Sequence, residues 1–77
     1  MPAPDGETHA RILDADAAEL ARCATRLREL SARLRADPAT PGWLFDALNA
    51  HITSCVVASA DLAEAAARLR ASVPPPG

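Results

Sequence analysis

Cys23, Cys55 and His51 carry the most reactive side chains in this sequence. The cysteines lie far apart, without the Cys-x-x-Cys spacing of a dithiol redox centre or zinc knuckle. His51 stands one helical turn before Cys55, so a three-donor set of Cys23, His51 and Cys55 can be drawn. Zinc generally fills four positions and no fourth ligand is evident, so neither a metal nor another cofactor is expected. Two readings of the cysteines stay open. Either both are small hydrophobes kept as thiols, or they form a disulfide.

The other chemically loaded residues form no catalytic constellation. There is no nucleophile beside a base, no glycine-rich phosphate loop and no pair of carboxylates expected to share a pocket, so no enzymatic activity is expected. Arg22, Arg26, Arg28, Arg33 and Arg35 form a basic run, but the formal net charge of the whole chain is -2. The arginines spread over more than one helical face and no aromatic residue interleaves with them for base stacking, which argues for a solvated surface over a nucleic-acid site.

The elements that position these residues are marked out by proline. Pro2 and Pro4 open the chain, Pro38 and Pro41 bracket its middle, and Pro74, Pro75 and Pro76 close it. The long proline-free intervals read as two helices, over about 9–36 and 41–72, with a turn at 37–40. In the first, Leu13, Leu20, Leu27 and Leu34 recur every seven residues, with Ala10, Ala17, Ala24 and Ser31 at the neighbouring core position. In the second, Leu48, Cys55, Leu62 and Leu69 repeat beside Phe45, Ile52, Ser59 and Ala66. Thr40 before Pro41 reads as an N-cap with proline at the first helical position. Residues 1–7 are expected to be disordered, residues 8–73 to form the hairpin, and 74–77 to be a proline-rich tail.

So short a linker makes the helices antiparallel. Facing residue numbers should then sum to about 79 from the position of the turn, as an order-of-register estimate. That register sets Leu34 against Phe45, Leu30 against Leu48, Leu27 against Ile52, Cys23 against Cys55, Leu20 against Ser59 and Leu13 against Ala66. It brings the acidic start of the first helix near Arg68 and Arg70. Glu29 with Arg33, and Glu64 with Arg68, are spaced for surface ion pairs.

The fold class is therefore all-α, a two-helix antiparallel hairpin. With 77 residues, of which 19 are alanine, its core is thin. Strands are disfavoured by the absence of Tyr and the scarcity of Val and other aromatics. No apolar run is long enough to span a bilayer and no cleavable signal peptide is visible, so the expected location is cytoplasmic, or secreted by a route that needs none. On the outer side of the second helix, Trp43, Ala50 and Val57 fall seven apart, with Leu44 and Val56 beside them. This strip is the expected interaction surface, for the chain itself or another helical protein, and a second hairpin would complete a four-helix bundle.

An Ala- and Leu-rich helical hairpin with tryptophan at its turn, here in Pro41-Gly42-Trp43-Leu44-Phe45, resembles the small Trp-X-Gly family of type VII (ESX-like) secretion substrates and their actinobacterial relatives. The resemblance covers roughly residues 10–72 in architecture. The sequence departs from the family pattern in having Gly42 before the tryptophan and Phe45 two places after it, and in lacking a Tyr-x-x-x-Asp/Glu signal after the second helix. The likeness implies a non-enzymatic protein that forms a homo- or heterodimeric four-helix bundle, with Trp43 lining the turn. The alternative is an intracellular assembly, scaffold, docking or regulatory subunit built on the same packing.

Overall fold

The computed structural model describes residues 5–72. Residues 1–4 and 73–77, including the proline-rich tail, lie outside the described residues. The chain forms two α-helices, α1 (Gly6–Arg35) and α2 (Gly42–Ala71), packed against each other as an antiparallel hairpin. Each has 30 residues and so runs about 45 Å at the usual rise.

Helix α1 starts earlier than the heptads suggest. Asp5 is its N-cap, in extended conformation, and its Oδ1 accepts the Thr8 backbone N–H at 2.9 Å. Residues 6 and 7, expected in a disordered N-terminus, are helical because this cap satisfies an otherwise orphaned donor. The start of α2 differs too. Pro41 is the N-cap residue and Gly42 the first helical one, and no side chain caps this end. Thr40 is occupied elsewhere, its hydroxyl donating to the Leu34 carbonyl at 2.9 Å and giving that carbonyl, at the end of α1, a second donor beside the Asp37 N–H. A Cβ at Gly42 would meet open space, so nothing at this position demands glycine.

The connector is tied together by its own residues. The Asp37 N–H donates to Leu34 O, the Ala39 N–H to the Asp37 side chain, and the Thr40 N–H to Asp37 O. Asp37 thus turns the chain between Ala36 and Pro41.

The seam differs from the expected leucine core. The buried residues of α1 are Ala10, Ala17, Ala24 and Ser31, and those of α2 are Ile52, Cys55 and Ala66. Small side chains at heptad spacing let the two backbones approach closely, and among the large aliphatic side chains of the described residues only Ile52 is buried between them. Leu13, Leu20, Leu27, Leu34, Leu48, Leu62 and Leu69 are accordingly half-buried, and Leu30, expected to pack on Leu48, is exposed. Among the described residues no large side chain is fully buried. Ser59, expected opposite Leu20, instead donates its hydroxyl to the Ala17 carbonyl at 2.7 Å, a hydrogen bond that locks the register across the seam.

Two consequences can be measured. Ala24 is only 1% exposed, so Ala24→Leu should force the helices apart and cost about 1–3 kcal/mol in chemical denaturation. The Thr8 backbone and side-chain hydrogen bonds hold the Asp5 carboxyl below its ordinary value of 3.8. The cap's contribution is therefore present above pH of about 4 and lost as pH falls through the lowered native value. Asp5→Ala should accordingly lower the melting temperature at neutral pH, and the difference from the parent chain should shrink progressively in acid.

Candidate functional site

The two long edges of the hairpin are chemically unlike. On one edge Arg70 reaches from the end of α2 to Glu7 (3.1 Å) and Asp14 (2.6 Å) on α1, and these carboxylates hold it in its charged form. At the turn end the Arg35 guanidinium lies 5.3 Å from the centre of the Phe45 ring, a cation–π contact. These charged groups tie that edge at its two ends, and Val56, at the heptad position of Arg70, stays exposed between them. They also carry out the charge order of the sequence, with the acidic start of α1 facing the basic end of α2. The Glu64–Arg68 pair forms at 2.9 Å, whereas Glu29 and Arg33 do not pair.

The opposite edge is open, with apolar side chains inside a charged rim. His9, Ile12 and Leu13 of α1 meet Leu69 of α2 around one shallow depression. Farther along, Leu20 and Cys23 meet Leu62 in an open groove whose rim carries Asp16, Glu19, Arg22 and Arg26. Heptad spacing continues the α1 stripe through Leu27 and Leu34 and the α2 stripe back through Cys55 to Leu48. Both helices thus offer leucines on the same side of a seam made of smaller residues. Ile12, 55% exposed, and Leu30, 41% exposed, extend this face on α1.

This leucine face is a different surface from the strip expected on α2. Of that strip, Trp43 is 68% and Val57 53% exposed, Val56 and Ala50 are also exposed, and Leu44 is half-buried. Helical geometry puts Trp43, Ala50 and Val57 behind α2, where Asp46, Thr53, Ser54 and Asp61 interrupt the apolar surface. The leucine heptads by themselves predict a leucine seam, whereas the leucines lie half-buried beside it. The signal that locates them is the run Ala10, Ala17, Ala24 and Ser31, which marks where the backbones come together and so moves the leucines aside.

Cys23 and Cys55 do come together across the hairpin. Cys55 belongs to the buried cluster with Ala24 and Ile52, and Leu20, Cys23 and Leu27 pack against it. Both thiols are free. Burial pushes the Cys55 thiol above its ordinary value of 9.0, and the adjoining Cys23 raises it further. His51 is exposed. Among the described residues no group of three or more His, Cys, Asp or Glu is placed to hold a metal ion, and no helix is long and apolar enough to cross a membrane.

The juxtaposed thiols lead to a direct test. Glutathione disulfide should join Cys23 to Cys55 within one chain by two thiol–disulfide exchanges: the protein gives up two electrons and two protons, and two molecules of glutathione leave. Peptide mapping should find the intrachain pair as the major product. The loop-entropy model gives the bridge about 3–4 kcal/mol of stabilisation, seen as a higher melting temperature that reductant reverses. Chiefly intermolecular linkage would contradict the placement of these thiols.

Comparison with known proteins finds no matching family model, no matching curated protein and no matching solved structure.

Proposed function

We propose that this chain is a non-enzymatic protein–protein interaction module whose leucine face is covered by another helical layer. The observation that carries the reading is the contrast between the two edges. One is bridged at its ends by Arg70 with Glu7 and Asp14 and by Arg35 over Phe45. The other leaves leucines from both helices half-buried beside an alanine-rich seam, in a molecule whose described residues include no fully buried large side chain. Covering that face removes apolar surface from water at about 25 cal/mol per Å², the largest source of stabilisation still open to so thin a fold. The hairpin then supplies two helices of a four-helix bundle.

The narrower reading is a type VII-like secreted or secretion-associated hairpin. It is supported by the helical-hairpin architecture and by Trp43, which stands exposed at the start of α2. The same leucine face serves an intracellular assembly, scaffold or regulatory subunit equally well, and the identity of the bound protein separates the two.

A photoreactive amino acid placed at Leu20 in the host should cross-link to protein, while one at the exposed Ala18, on the far side of α1 from Leu20 and Cys23, should not. Mass spectrometry of the product then identifies the partner. Secretion-machine components support the narrower reading, and cytoplasmic complexes support the assembly subunit. Absence of a cross-link at Leu20, or equal labelling at both positions, would overturn the interaction reading.

A further inference from the structure

We infer that the occupant of the leucine face is a second copy of this chain, bound with α1 antiparallel to α1 of its partner across a two-fold axis near Leu20 and Ala21. This rests on the interaction reading above and adds the identity and orientation of the partner. A two-fold interface must be self-complementary, each residue meeting a counterpart that meets it in return. The rim of the groove has that property. Asp16 and Glu19 precede Leu20, and Arg22 and Arg26 follow it, all lining the same groove. Reversing the helix about its centre brings the acidic pair of each copy against the basic pair of the other. A parallel arrangement would instead set like charges together, which is strongly unfavourable.

Two independent features select the same axis. Helix α1 runs from Gly6 to Arg35, so its midpoint falls between Leu20 and Ala21, and an axis there overlaps the two α1 helices along their full length. Placed at Ala21, half a residue from that midpoint, the axis sets Ile12 of each copy opposite Leu30 of the other. These are the two large apolar side chains of α1 left most exposed by the hairpin, and each covers the other. Asp16 then faces Arg26 at the edge of the contact. The charged pairs set the orientation, while the leucines of α1 and α2 supply the buried area.

The experiment uses two full-length single variants, Asp16→Arg and Arg26→Asp, with sedimentation velocity for mass and circular dichroism for helix content. Both positions are exposed in the hairpin, so each variant should keep its helices. The parent chain should sediment as a dimer. Each variant alone should self-associate about tenfold more weakly, because like charges meet across the axis. An equimolar mixture should restore the dimer, as a heterodimer in which every facing pair is of opposite sign. A stably helical monomer at all concentrations, or a dimer indifferent to both substitutions, would overturn the proposal. So would a mixture no tighter than its components. If the parent is monomeric while Leu20 still cross-links to a different helical protein, the second-copy inference fails and the interaction reading stands.

Discussion

Everything in this fold depends on how closely two backbones can approach along Ala10, Ala17, Ala24 and Ser31. Methyl and hydroxymethyl side chains leave room for one helix to lie almost directly on the other, and Ala66, fully buried, performs the same service from α2. At the seam the α1 positions are held by these small side chains, and Ile52 of α2 packs against Ala24 there. The leucine heptads therefore sit beside the seam, half-buried, and pack along the crevice between the helices. Close approach also puts the Ser59 hydroxyl within 2.7 Å of the Ala17 carbonyl, a hydrogen bond that two helices held apart by leucines could not make.

A hairpin built this way has two edges and cannot treat them alike. The edge carrying Glu7, Asp14 and Arg70 places long charged side chains across the crevice, where their stems cover apolar surface while their heads stay in water. On the other edge no ion pair crosses between the helices among the described residues, and it stays open. The asymmetry follows from heptad registers on a single helix: Asp14 lies next to Leu13 in sequence yet on the other flank of the Ala10–Ala17 stripe.

The same geometry brings Cys23 and Cys55 together. Cys55 occupies the α2 stripe where its neighbours in the repeat are Leu48 and Leu62, and a thiol is small enough to enter the seam with Ala24 and Ile52. Burial then disfavours its thiolate, so near neutral pH the pair behaves first as packing material and only under oxidation as a crosslink. Thr40 shows a comparable choice between two local roles. Its hydroxyl can cap α2 or satisfy the end of α1, and the Leu34 carbonyl takes it.

Most of the fold was legible in the sequence. Long intervals without proline, each with a seven-residue apolar repeat, determine two helices because no other regular structure buries residues at that period, and a short connector leaves only an antiparallel return. The facing of Cys23 and Cys55 and the approach of Arg70 to the acidic start of α1 follow from that return alone. The choice of stripe for the seam was made only in the tertiary structure. Ala17 and Leu20 lie three residues apart on one face, so a single helix presents both to its neighbour and periodicity cannot rank them. The distance between the axes ranks them, and that distance is a property of the pair: once alanine and serine meet across the gap the leucines are displaced to one side. For that reason the leucine face and its rim, acidic on one side of Leu20 and basic on the other, became visible only after the two helices were placed together.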